Sequence, residues 1–166
     1  MNPCPSPRLR NFLAREVKKG YSVLDLGCGT KWYWPAFKNR ASVIVGVDAH
    51  RPFDPCLLVD MEKDDLPVAD KSFDVVLMLD FIEHLSRETG ERVLAHAKRI
   101  VREKIILLTP LLWDDNASNV EDPKSEYFGN GFDYHKSLWT VRDFEGWQRS
   151  MLWPGDKRYL GIWRPT

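Results

Sequence analysis

Residues 23–35 read VLDLGCGTKWYWP. The first four suit a strand buried on both faces, and two glycines then flank a cysteine. A glycine-rich turn at the end of a buried strand lets a ligand reach the backbone, because no Cβ stands in the way. The G-x-G-x-x-G spacing of dinucleotide sites uses Gly27 and Gly29 but requires a third glycine where this chain has Trp32. An indole there blocks the close helix–strand contact that the third glycine permits. The spacing from Gly29 to Asp48 suits a carboxylate on ribose hydroxyls. The turn therefore points to an adenosine-containing ligand without a pyrophosphate. A nicotinamide dehydrogenase is the reading that Trp32 disfavours.

Outward from this turn, strands alternate with helical segments. Residues 6–20, SPRLRNFLAREVKKG, predict a helix with Ser6 as cap, Pro7 in the first turn and Gly20 at the end. Leu9, Phe12, Leu13 and Val17 share one face. Further strands are predicted over 42–48, which is rich in β-branched residues, and over the apolar stretches 56–60, 73–80 and 104–110. Residues 86–102 predict a helix capped by Ser86, with Gly90 against it. Residues 140–151 open on a capping-box pattern, Thr140 to Asp143, and predict a last helix. The tail RYLGIWR predicts a final strand, paired in a hairpin with 151–153 across the turn PGD. Apolar strands alternating with helices imply an α/β fold with a mostly parallel sheet covered on both faces. Only seven residues separate Asp48 from Cys56, and Pro52 and Pro55 lie among them. That is too short for a full crossover helix, so the helix between the second and third strands is expected to be reduced or absent.

The 166 residues suit one domain over 1–166, with 1–7 extended or flexible and 111–139 an irregular insertion. With 24 basic and 24 acidic side chains the net charge is zero, so no whole-domain basic field exists to grip nucleic acid. Three cysteines without a CxxC pair disfavour a disulfide framework or a structural zinc. The four histidines form no HExxH pattern, and no metal is expected. The N-terminus lacks an apolar signal run, and no stretch reaches a membrane span of about 20 apolar residues. The expected location is the cytoplasm.

An acidic residue ends each of the first four strands: Asp25, Asp48, Asp60 and Asp80. One such aspartate is an ordinary strand end or cap. Four together, at the edge where open α/β sheets bind ligands, suggest a site. VLDLGCGT, VGVDAH, LVDMEKDDLPVADKSFDVVLMLDFIEHL and IILLTP resemble, in order and spacing, the class I S-adenosylmethionine-dependent methyltransferases, and the small type 11 branch most of all. The resemblance runs from about residue 21 to 110. It implies a Rossmann-like fold with an antiparallel C-terminal strand, S-adenosylmethionine as cofactor and methyl transfer as activity. It places Asp25 at the glycine turn near the cofactor's amino group, and Gly27, Cys28 and Gly29 beneath it. Asp48, with Ala49, takes the ribose. Asp60 takes the adenine amino group, with Met61 on the ring, and Leu79, Asp80 and Phe81 line the methionine end. Three departures stand out. The third glycine of the family's turn is Lys31, the helix after the second strand is missing, and VREK replaces a glycine pair before the fifth strand.

The acceptor side is expected outside the shared core, in 1–12, 30–37 and 111–139. Residues 130–145 resemble a segment before the last helix of several small methyltransferases, some linked to glycan and natural-product pathways. Asp80, His135 and His84 are the candidate catalytic residues. His135 and Tyr134 lie either at the mouth of the site or in a stabilising loop, and Trp139 packs in the core in the second case. Trp32, Tyr33 and Trp34 form an acceptor wall or pack as part of a first crossover helix. LDFIE is not the Asn/Asp-Pro-Pro-aromatic pattern of base-amino methylation, which with zero net charge disfavours DNA. The expected acceptor is a small molecule or a sugar-containing compound. RNA or protein acceptors, or a methyltransferase-like binding module without turnover, are the alternatives.

Overall fold

The computed structural model describes residues 6–150 and 157–166. Its seven strands are β1 (Ser22–Leu26), β2 (Val43–Asp48), β3 (Leu57–Leu58), β4 (Phe73–Leu79), β5 (Val101–Pro110), β6 (Gln148–Arg149) and β7 (Arg158–Trp163). They form one sheet in the order β3-β2-β1-β4-β5-β7-β6. The first five run parallel, and β7 is antiparallel to both β5 and β6. The order reverses between β1 and β4, which makes their carboxyl ends the switch point where such sheets bind ligands.

The helices are α1 (Pro7–Glu16), α2 (Arg87–Ile100) and the short α3 (Ala117–Val120). The period-2 alternation of β4 divides the core. Val75, Leu77 and Leu79 face a cluster with Leu9, Phe12 and Leu13 of α1. Val76 and Met78 face the other cluster, with Val93, Ala97 and Ile100 of α2. Both helices start as expected. Ser6 Oγ accepts from the Leu9 N–H at 3.3 Å, and Ser86 Oγ from that of Thr89 at 3.4 Å. The end of α1 differs: it stops at Glu16, and Gly20 lies in the following turn with φ 86°. α2 runs into β5 without a loop, so β5 begins at Val101, three residues before its expected start.

The crossovers are where the structure departs most from expectation. Between β2 and β3 only one 3-10 turn forms, Arg51–Phe53, as the spacing implies. The β1–β2 link is also reduced to one 3-10 turn, Trp34–Ala36, where a first crossover helix is expected. Buried Tyr33 and Phe37 from this link fill the α1-side cluster in place of a helix. Residues 140–151 do not form the expected helix either. The capping box is present, but a 3-10 turn, Val141–Phe144, ends before Gly146 turns left-handed at φ 82°. The chain then enters β6, which pairs with β7. The expected hairpin through 151–153 lies outside the described residues. The expected third strand over 56–60 is cut to Leu57–Leu58.

Gly90 does not break α2. It faces Trp139, and an added Cβ would press into that indole. Trp139 is 1% exposed, stacks on Phe144 at 5.7 Å between ring centroids and lies under the Arg87 guanidinium at 3.9 Å. The glycine makes room for the ring that anchors residues 111–139 to the body.

Candidate functional site

The turn after β1 folds back on β2. The N–H groups of Gly27 and Cys28 donate to the Val47 carbonyl at 2.8 and 3.1 Å, and that of Gly29 donates to Asp48 Oδ2 at 2.9 Å. These donors are thereby taken, and no helix of useful length follows. The turn thus lacks the N-terminal helix dipole on which a pyrophosphate rests. Gly27 has φ 71°, and a Cβ on it would overlap the Phe81 ring. Gly29 has φ 47°, and the nearest atom to a Cβ there is Tyr127 Oη at 3.7 Å.

The position of the missing third glycine also adopts the left-handed region. Lys31 has φ 62°. Its backbone N–H donates to the Cys28 carbonyl, its Nζ donates to the Asp54 carbonyl at 2.7 Å, and its ammonium lies 5.5 Å from the Trp34 ring centre. These contacts hold a lysine in a conformation that costs an L-residue about 1–2 kcal/mol.

Asp25 is 3% exposed and lies behind the turn. Trp34 Nε1 donates to its Oδ2 at 2.7 Å, so at least one ring of the aromatic run serves the turn. Burial first, and then the charge of Asp48, push the Asp25 carboxyl up to about 7, against the Trp34 bond. Cys28 is buried, with its sulfur where a Cβ on Gly46 would stand. Burial raises its thiol to about 12, with Asp25 and Asp48 adding to the effect, so it is an inert side chain.

A cavity of about 780 Å³ opens at these strand ends, well within the range of small-ligand sites. Gly27, Cys28, Gly29, Asp48, Ala49, Asp60, Met61, Leu79, Asp80, Phe81, His84 and His135 all line it, which brings together every candidate residue except Asp25. Both Asp48 oxygens are oriented by backbone donors, Gly29 N–H on Oδ2 and His50 N–H on Oδ1 at 2.8 Å. Asp60 Oδ1 accepts from Glu62 N–H at 3.1 Å, and its Oδ2 pairs with Lys63 at 2.8 Å. Asp80 has φ 50°, and its two oxygens are held by the Tyr33 hydroxyl and the Arg158 guanidinium. Burial, followed by the Asp80 charge, pushes the Tyr33 hydroxyl far up.

Residues 111–139 cover the other side of the cavity. The Lys136 and Ser137 N–H groups donate to the Glu83 carbonyl at 2.8 and 3.1 Å. Asn116 Nδ2 donates to the Asp133 carbonyl and carboxylate, both at 2.8 Å. Tyr127 meets Phe53 edge-on at 5.5 Å, and Phe53 meets His50 at 4.7 Å, so an aromatic wall joins the segment to the β2 end. Tyr134 is placed elsewhere: it donates to Glu121 at 3.1 Å and does not line the cavity.

Sequence reasoning assigns no role to Glu83, Asp133, Tyr127, Arg158 or Glu62, which also line the cavity. Glu62 ties the site to α2, accepting from Ser86 N–H and Thr89 Oγ1, both at 2.7 Å. Glu83 is 2% exposed and accepts from Thr109 Oγ1 at 2.9 Å; burial first, and then Asp80, raise its carboxyl. Burial also pushes Asp133 up to about 7 and lowers His84 to about 4. Glu83 and His84 lie in the 3-10 turn just after β4 and were the only visible signal. The rest come from distant segments.

The fold and site define a Rossmann-like α/β protein with a nucleoside-sized cavity at the topological switch point. Residues 24–108, just over half of the chain, match the family model of the methyltransferase domain, and the chain belongs to that family. It is similar in structure to a protein from Pyrococcus horikoshii, with 20% identity over 96% of this chain and 89% of that one and a TM-score of 0.67. It is also similar to a SAM-dependent methyltransferase from Archaeoglobus fulgidus, with 19% identity, 84% and 68% coverage and a TM-score of 0.57. A protein named for methyl transfer in an antibiotic biosynthesis pathway of Anabaena variabilis shares 27% identity over 64% of this chain and 47% of that one, with a TM-score of 0.51. The comparison with curated proteins gives no match. The chain is a methyltransferase-domain protein, and S-adenosylmethionine is the cofactor that the family implies. The residues present fit that group. The wall at Gly29 is bare, and the carboxylates Asp48 and Asp60 stand at the ends of β2 and β3. Among the described residues, no helix is long and apolar enough to cross a membrane.

Proposed function

We propose that this chain methylates a small-molecule or sugar-containing acceptor held between the strand ends and residues 111–139. When bound, S-adenosylmethionine supplies an electrophilic methyl group on a sulfonium sulfur. In this reading Asp48 accepts from the ribose hydroxyls. A carboxylate has about four lone-pair sites, so the two backbone donors on Asp48 orient it and leave capacity for a ligand. Asp60 accepts from the adenine amino group, Met61 and Ala49 pack beside the nucleoside, and Gly27, Cys28 and Gly29 pass beneath. Leu79, Asp80 and Phe81 line the methionine end. Asp25 acts from behind, holding the turn through Trp34.

The observation that carries this reading is the single cavity lined by both walls, from Asp48 and Asp60 past Asp80 to Asp133 and His135. Its lining is partly apolar, with Trp32 37% and Phe132 39% exposed, which suits a compact acceptor with an apolar face. Positioning alone supplies much of the rate in an in-line displacement. The antibiotic-pathway name of the Anabaena variabilis relative and the zero net charge support a small acceptor over nucleic acid. The free cysteines Cys28 and Cys56 fit a reducing cytoplasm.

Calorimetry with S-adenosylhomocysteine, followed by methyl-transfer assays on sugar, phenol, amine, RNA and protein acceptors, tests the reading. Saturable binding with turnover on a small acceptor is expected. No binding at millimolar cofactor overturns the cofactor assignment, and turnover confined to RNA or protein overturns the acceptor assignment.

A further inference from the structure

Glu83, His84 and His135 meet on the acceptor side of the cavity, one beside another at the end of β4 and the third from residues 111–139. One carboxylate oxygen and one ring nitrogen from each histidine all lie within 4.8 Å of one another. The two imidazoles meet edge-on, 4.8 Å between centres. The two nitrogens of His84 have different surroundings. Nε2 lies 3.9 Å from Asp133 Oδ1, while Nδ1 is buried with no hydrogen-bond partner among the described residues. A buried polar nitrogen left in this state is destabilising. Glu83 is likewise buried, accepts from Thr109, forms no ion pair among the described residues and shares the cavity with the Asp80 and Asp133 carboxylates and with Arg158, which is paired to Asp80.

We propose that Glu83, His84 and His135 bind a divalent first-row transition-metal ion, with open coordination positions facing the acceptor end of the cavity. Two imidazoles and one carboxylate are a donor set that such ions accept, and three protein ligands leave room for a substrate atom. Metal–nitrogen and metal–oxygen bonds of about 2.0–2.2 Å place ligand atoms roughly 3.3–3.5 Å apart. Closing the cluster from its present spacing takes about an ångström of side-chain rotation. His135 is half-buried on an irregular segment and can supply it. The ion gives Nδ1 of His84 its missing partner and sets a positive charge among the carboxylates. Asp133, fixed by Asn116, lies 3.9 Å from the other nitrogen of His84, on the side from which a carboxylate can orient a ligating imidazole. His135 is far from His84 in sequence, so spacing motifs give no hint of the site. The acceptor class this selects carries an oxygen donor, a hydroxyl or a carboxylate, that ligates the ion. That last step rests on the methyl-transfer reading, whereas ion binding does not.

The test uses the full chain without a histidine tag, stripped with a chelator that is then removed. Cobalt(II) chloride is titrated in and followed by its visible absorption. One equivalent is expected to bind with a dissociation constant in the micromolar range or below. Binding is expected to weaken at least about a hundredfold in His135→Ala and in Glu83→Gln, with far-ultraviolet circular dichroism retained. No saturable cobalt signal up to a millimolar ion overturns the proposal, as does unchanged affinity in His135→Ala, the variant at the half-buried and more tolerant position. Calorimetry with S-adenosylhomocysteine in the presence of chelator separates the two readings. Cofactor binding without cobalt binding overturns the metal site alone, and cobalt binding without cofactor binding overturns the methyl-transfer reading alone.

Discussion

The two walls of the cavity hold their shapes by different means. On the β1–β3 side, neighbouring strand ends bond to one another: Gly27 and Cys28 to Val47, Gly29 and His50 to Asp48. Those residues are close along the chain or adjacent in the sheet. Residues 111–139 have only α3 and the 3-10 turn Gly131–Asp133 as regular structure. They are held by Trp139 in the core, by bonds to the Glu83 carbonyl and by the Asn116–Asp133 clamp. The first wall is stiff because its donors are consumed inside the sheet. The second is set by a few distant anchors, which leaves it freer to vary its lining.

This contrast is most directly broken at Trp139. Trp139→Ala empties a fully buried site and is expected to lower stability by about 3–5 kcal/mol in urea unfolding. Added protease cleavage should concentrate in residues 111–139. A loss below about 1 kcal/mol would show that the segment is anchored elsewhere.

Asp25 tests the stiff wall through pH. Its folded carboxyl titrates near 7, against an ordinary value near 4, so between those values the folded chain keeps a proton that the unfolded chain has lost. Stability therefore falls as pH rises through that window, by a few kcal/mol from this group. Asp25→Asn keeps an acceptor for Trp34 and removes the charge. The difference in melting temperature between variant and parent should grow from pH 4 to 7, and a constant difference would contradict the buried-carboxyl account.

Gly27→Ala places a Cβ against Phe81 in a left-handed backbone. A stability loss of at least about 2 kcal/mol is expected, together with weaker cofactor binding by calorimetry. Asp48→Asn should act the other way round, weakening S-adenosylhomocysteine by about tenfold with a small change in melting temperature, since tenfold is about 1.4 kcal/mol. An unchanged dissociation constant would remove Asp48 from the ribose role. The smallest effect is expected at Lys31. Lys31→Gly relieves the left-handed backbone at the loss of the Asp54 contact, and should raise stability by up to about 1 kcal/mol. A lower melting temperature would show that the lysine contacts outweigh the strain.

How far the sequence reached follows the same division. β1, β2 and β4 and the acids at their ends were readable because strand period, β-branched content and glycine turns are local properties. The reduced β2–β3 link followed from its length and prolines. The reduced β1–β2 link did not, because Trp34 and Phe37 suit a helix face as well as they suit the packing they adopt. The last predicted helix failed for a related reason. Its cap is genuine, but Gly146 turns left-handed and β7 offers Gln148–Arg149 a strand partner. Gly90 misled in the opposite direction, since its tolerance in α2 depends on an indole nearly fifty residues away.

By itself the sequence determined the order of the parallel strands' elements, the glycine turn and the row Asp25, Asp48, Asp60 and Asp80, all of which are written in short windows. The tertiary structure alone decided that Asp25 stands behind the wall, that Tyr33 and Arg158 hold Asp80, and that Glu83 and His84 face His135. Those contacts join residues far apart in the chain. Only the packing of the sheet and of residues 111–139 brings them within bonding distance, and no local pattern encodes that packing.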